Sequence, residues 1–176
     1  MIRIDISGLN DGQREIEINY PVEKVEGMFD EFFGEIEIDG IVKKTGNRFA
    51  ISIGLYCKAN LICDISAEEF TEEIETTLDL AFVANTERFY INKNVEKDQD
   101  PEKYIHDDDN YIDITEEVVE QLAVSLPMKR VAPAYRGKDF SDLHPEISAD
   151  KADENRDEED KPVDERWSKL KNLKLN

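Results

Sequence analysis

From Phe49 to Cys63 every odd position is apolar: Phe49, Ile51, Ile53, Leu55, Cys57, Ala59, Leu61 and Cys63. The even positions are mostly polar, among them Arg48, Ser52, Lys58, Asn60 and Asp64. A period of two over such a length is incompatible with a helical stripe and specifies a strand with one buried face. A strand over 48–64 would span ~55 Å, longer than most, so a bend near Gly54 or coiling of the sheet is expected. Glu35, Glu37 and Asp39 alternate with Ile36 and Ile38, and Thr45-Gly46-Asn47 has turn chemistry, so 35–44 and 48–64 read as a hairpin. Phe70, Ile74, Leu78, Leu80 and Phe82 share one parity and give a third strand. Edge strands are expected at 2–6, with Ile2, Ile4 and Ile6 inward, and at 14–20, with Ile16, Ile18 and Tyr20 inward.

Residues 94–110 are almost wholly polar and read as an exposed loop. Asp113 stands three residues before Glu116, a capping-box spacing, ahead of Val118, Val119, Leu122, Ala123 and Leu126 at helical intervals. A helix over about 114–126 follows, stopped by Pro127. The fold class is α+β: a mainly antiparallel curved sheet or incomplete barrel with one covering helix.

The apolar content divides the chain. Residues 1–126 hold 39 of the 47 Leu, Ile, Val and Phe residues, and 127–176 hold the other eight. At about 16% the second stretch falls below the ~20% associated with disorder, so 1–126 reads as a folded body and 127–176 as a charged tail. The body carries 11 basic and 30 acidic residues, the tail 11 and 12. Within the tail, 129–138 and 161–176 are basic islands, while 139–160 has ten acids against two bases. Stable structure is not expected over 139–162. A short helix over 164–173 has Trp167, Leu170 and Leu173 on one side with Lys169, Lys171 and Lys174 around it, and is too short to stand alone.

A net charge of -20 opposes wholesale wrapping of nucleic acid and binding to anionic membranes. No run approaches eighteen apolar residues, and Met1-Ile2-Arg3-Ile4-Asp5 lacks a signal-peptide layout. A cytoplasmic protein with no membrane partner is the expectation. The two cysteines, Cys57 and Cys63, lie roughly 20 Å apart if they share a strand, beyond disulfide reach.

Enzymatic constellations are missing from the sequence: no nucleophile elbow, no phosphate-binding glycine loop and no dinucleotide fingerprint. His106 and His144 both fall in loop or tail. His106 with Asp107, Asp108 and Asp109 lacks the glycine turn and distal glutamate of a calcium loop and reads as a solvated acidic segment. No catalytic residue, metal ligand set, cofactor or small-molecule substrate is assigned. Cys63-Asp64-Ile65-Ser66 has the form of a Cys-x-x-Cys tract whose second cysteine is Ser66. One thiol and one hydroxyl cannot hold tetrahedral zinc, and a buried Cys63 serving as a small hydrophobe at a strand end is the simpler reading.

Four tracts in order resemble the YceD family, named for accumulation of large-subunit ribosomal RNA. Cys63-Asp64-Ile65-Ser66-Ala67-Glu68-Glu69-Phe70 is similar to its Cys-Asp-Arg-Cys-Leu-Glu-x-Phe. Tyr111-Ile112-Asp113-Ile114 leading to Leu126-Pro127-Met128 is similar to its Ile-Asp-Leu, helix and Leu-Pro segment, and Arg136-Gly137 falls near its Lys-Gly element. Asp164-Glu165-Arg166-Trp167-Ser168-Lys169-Leu170 resembles the closing Asp-Pro-Arg-Trp-x-x-Leu. Many members have a second cysteine cluster where Lys129 to His144 here has none, so zinc is not carried over.

The resemblance implies an accessory, non-catalytic role in accumulating large-subunit ribosomal RNA. Charge adds that the acidic body suits a basic ribosomal protein or assembly factor. Contacts to that partner or to ribosomal RNA would fall to Lys129, Arg130, Tyr135, Arg136 and Lys138, and to Arg166, Trp167, Lys169 and Leu170, with further cations at Lys171 and Lys174. The rival expectation is an acidic adaptor unrelated to ribosomes, docking Trp167 and Leu170 into a partner groove.

Overall fold

The computed structural model describes residues 1–92 and 103–138. Two compact units are distinguished, Met1–Ala132 and a second that begins at Pro133. The expected helix at 164–173, the expected lack of structure over 139–162, His144, and the candidate contacts Arg166, Trp167, Lys169 and Leu170 lie outside the described residues.

The long alternating segment forms β4 (Arg48–Ile62), paired on one side with β3 (Phe32–Thr45) and on the other with β5 (Glu69–Ala84), both antiparallel. Gly46, at φ +61°, makes the tight turn between β3 and β4 that Thr45-Gly46-Asn47 predicts. The sheet extends outward through β2 (Gly12–Pro21), antiparallel to β3, so 14–20 is indeed an edge strand. The sheet is open, with strand order β2-β3-β4-β5-β6. Pairing runs unbroken through Gly54, and the register shift of the sheet falls in β3, between Phe33 and Glu37, where Gly34 takes φ +82°. Gly40 is required where β3 passes β4 closely: a Cβ there would stand 2.2 Å from the Ser52 carbonyl oxygen.

Three expectations are corrected. Segment 94–110 is not wholly loop, because β6 (Lys103–Ile105) adds to the sheet parallel to β5 and buries Ile105. A parallel strand needs a long crossover, and α1 (Thr86–Asn92) occupies its beginning. Residues 2–6 do not edge the main sheet; β1 (Arg3–Asp5) pairs instead with β7 (Tyr111–Asp113) in a separate two-stranded ribbon that buries Ile2, Ile4, Ile112 and Ile114. The capping box at Asp113 and Glu116 gives way to another arrangement. The Ile114 N–H still donates to the Ile2 carbonyl, keeping the chain extended there, so α2 runs Thr115–Ser125. The Asp113 carboxylate accepts the Thr115 N–H and hydroxyl, and the Thr115 hydroxyl oxygen accepts the Ile2 N–H.

One apolar cluster joins these parts. It contains Ile36, Ile38, Ile51, Ile53, Leu55, Leu61 and Ile74 from the sheet, the ribbon isoleucines, and Val118 and Leu122 of α2. Gln121 of α2 donates to the Thr76 hydroxyl on β5, and Lys103 of β6 pairs with Glu117. Among the described residues, no helix is long and apolar enough to cross a membrane.

Candidate functional site

Alternation that buries the odd residues of β4 turns its even residues outward, and the register aligns them with their neighbours. Three adjacent cross-strand rows form the centre of this outer face: Glu15-Ile41-Ser52-Asp79, Glu17-Asp39-Gly54-Thr77 and Asn19-Glu37-Tyr56-Glu75. These rows hold carboxylates at Glu15, Glu17, Glu37, Asp39, Glu75 and Asp79 and not one basic side chain. Lys43 and Lys58 stand outside them, one row beyond at either end.

Tyr56, 38% exposed, stands in one outer row of the three and Ile41, 39% exposed, in the other. The Tyr56 ring folds over the hydrogen side of Gly54, where a Cβ would meet Tyr56 Cε2 at 3.2 Å and Asp39 Oδ1 at 3.3 Å. The negative charges of Asp39 and then Glu75 push the Tyr56 phenol above its ordinary pKa. The Ser52 hydroxyl donates to Asp79 Oδ1. Carboxylates interspersed with an aromatic ring and an exposed isoleucine can bind a cationic chain, by coulombic attraction and by packing. The alternation of Glu35, Glu37 and Asp39 was the available signal for this face. Its assembly depends on register, which a strand pattern does not reveal.

The cysteine tract closes a corner past the end of β4. Cys63 N–H donates to the Glu68 carbonyl and Ala67 N–H to the Cys63 carbonyl, with Ala67 at φ +58°. The Asp64 N–H donates to the Arg130 carbonyl, and the Arg130 N–H returns to Asp64 Oδ2 at 2.7 Å. Cys63 is 1% exposed and its sulfur accepts the Ala132 N–H at 3.4 Å. Burial raises the thiol pKa, but the Ala132 N–H, the Ser66 hydroxyl and the Ser66 and Ile65 N–H groups outweigh it and lower it to about 7. Cys63 and Ser66 are thus brought together around one sulfur. Cys57 is buried and its thiol is pushed up by desolvation. Among the described residues no three His, Cys, Asp or Glu side chains gather as a metal site.

The first basic island is divided by the fold. Arg130 is held to the first unit through Asp64, and its guanidinium lies 3.5 Å from Glu31. Lys129 is exposed. In the second unit Pro133–Tyr135 forms a single 3-10 turn, with Lys138 Nζ 5.9 Å from the centre of the Tyr135 ring and Arg136 exposed.

At the end of the sheet opposite the Cys63 corner, two carboxylates of the His106–Asp109 loop accept hydrogen bonds from nearby groups. Asp109 accepts the His106 N–H, and Asp107 accepts the Thr86 N–H and hydroxyl, which hold its pKa down. His106 packs edge-on to Phe89 and Tyr90.

The family model described as Large ribosomal RNA subunit accumulation protein YceD matches residues 51–174. The matched stretch begins inside β4 and takes in the Cys63 corner, β5 and α2, while β2 and β3 precede it. No curated protein and no solved structure matches the chain.

Proposed function

Given that the chain belongs to the YceD family, whose name ties it to large-subunit ribosomal RNA, we propose that it is a non-catalytic accessory factor that engages a basic ribosomal protein or assembly factor. The observation that carries this reading is the outer face of the sheet. Glu17 stands directly opposite Asp39, and like charges in cross-strand register destabilise a sheet. The three central rows offset that repulsion with no cation of their own, so the face gains its return from a cationic partner. RNA phosphates are repelled by the same field. Contacts to ribosomal RNA then belong to Lys129, Arg130, Arg136, Lys138, Arg166 and Lys169 through phosphates and to Tyr135 and Trp167 through bases, while Leu170 suits an apolar contact with a protein partner. Arg130 contributes least, because Glu31 already neutralises part of its charge.

The test is a gene deletion followed by measurement of large- against small-subunit ribosomal RNA. The ratio is expected to fall and to be restored by the intact chain but not by an Asp39→Lys/Glu75→Lys variant. A normal ratio in the deletion strain defeats the ribosomal reading. Full rescue by the double variant defeats the acidic face as its instrument.

A further inference from the structure

β2 edges the sheet along all ten of its residues, with no strand beyond it among the described residues; at the other side β6 pairs with Phe82–Ala84 alone and leaves Glu69–Ala81 of β5 as a second open edge, on a strand that α2 already contacts through Gln121 and Thr76. In an antiparallel pair, alternate residues of a strand direct both backbone groups away from their neighbour. β2 therefore offers a row of N–H and C=O groups on the side away from β3. The side chains beside that edge fall on two faces, with Arg14 on the inner one. Gln13, Glu15, Glu17 and Asn19 are exposed on the outer face, continuous with the carboxylate rows. Ile16, Ile18 and Tyr20 lie on the inner face, packed against the core yet only partly buried, because no strand lies beyond them among the described residues.

We propose that this edge takes an extended basic segment of a partner protein as a sixth, peripheral strand, with Lys or Arg on one face and aliphatic residues on the other. This rests on the reading of the protein as the acidic partner of a basic ribosomal component, and it names where and in what conformation that component binds. Alternating cations would meet Glu15 and Glu17 across the new pairing at ~4.5–5.5 Å between Cβ atoms, and the aliphatic residues would complete the burial of Ile16 and Ile18. Backbone pairing supplies affinity and the alternate side chains supply selection. A second copy of the chain is a poor occupant: an antiparallel pair of β2 strands centred on Ile16 sets Glu15 against Glu17 twice, like charge against like. RNA has neither the ladder groups nor the charge.

The experiment uses the full chain and a capped heptapeptide of alternating lysine and valine, followed by hydrogen exchange at single residues. Two further peptides carry N-methyl groups on one or the other set of alternate amides. Binding is expected to slow exchange of the outward β2 amides at least tenfold. One methylated peptide is expected to lose at least tenfold in affinity while the other retains it, since only one peptide edge faces β2. The variant Glu15→Lys/Glu17→Lys is expected to lose at least tenfold. Equal binding of the two methylated peptides would reduce the interaction to charge alone and overturn the proposal. So would protection elsewhere in the chain, tighter binding of a single-stranded RNA at β2, or β2 amides already protected before peptide is added, which would place a segment of this chain on the edge. The ribosomal reading fails separately, by a normal RNA ratio in the deletion strain, whatever the peptides do.

Discussion

The inner and outer faces of the five-stranded sheet are drawn from alternate residues of the same strands, yet they answer to different pressures. The inner face is aliphatic and closed: Ile36, Ile38, Ile51, Leu55 and Leu61 are essentially without solvent exposure. The outer face is charged and open, with uncompensated carboxylates beside a half-exposed tyrosine. Burial of the first stabilises the fold. Repulsion across the second subtracts from it. A face maintained against the interest of the fold marks where binding is to be sought, and a face that carries the fold marks where substitutions cost stability without informing on function.

The sharpest break in this comparison is Leu55→Ala, which removes the centre of the inner face and is expected to cost about 2–5 kcal/mol. Denaturant unfolding measures it, and a loss below ~1 kcal/mol would mean that the inner face is not the packed core. The mirror change is Asp39→Lys. It converts the repulsive pair with Glu17 into an attractive one and is expected to raise stability by ~0.2–1 kcal/mol while weakening binding of a basic partner. A loss of stability on that substitution would remove the argument that the outer carboxylates oppose folding.

Where β4 ends, the inner parity passes to Cys63, and the prediction there concerns pH. Its thiol is held at about 7 in the fold, below the value of ~8.5 for a free cysteine. A depressed pKa contributes stability that is fully present above the unfolded value and is lost as pH falls through the folded one, so stability should grow between pH ~7 and ~8.5. Thiolate absorbance should show Cys63 titrating near 7 and Cys57 well above it, and Ser66→Ala should move the Cys63 step upward. Two coincident thiol titrations would contradict the corner as described.

The smallest effect is on Tyr56. Its phenol is raised chiefly by Asp39, then by Glu75, so Asp39→Asn should lower its pKa more than Glu75→Gln does, read by phenolate absorbance. A raised pKa means that the contribution to stability is present below the unfolded value and disappears as pH rises through the folded one. An unchanged titration in both variants would mean that the outer face generates no field at Tyr56.

Much of this was legible from local pattern. The alternation from Phe49 to Cys63 specified β4 and its buried parity, Thr45-Gly46-Asn47 specified the hairpin, and the spacing of Val118 and Leu122 specified the buried side of α2. The short strands β6 and β7 were not legible, since three residues offer no period to detect. The partition of the basic island was hidden as well. Arg130 and Asp64 are sixty-six positions apart, and no sequence rule joins their backbone groups.

What the sequence determined by itself is therefore the parity of each long strand, because side chains alternate by covalent geometry and water sorts them by polarity. It also determined the excess of negative charge, which is a sum independent of conformation. Only the tertiary structure decided that Glu15, Glu17, Glu37, Asp39, Glu75 and Asp79 from three strands share one face, that Cys63 meets the Ala132 N–H, and that β2, and not β1, edges the five-stranded sheet. Those facts depend on strand order and register. Both are set by the simultaneous burial of residues distant in the chain, a condition that no local window contains.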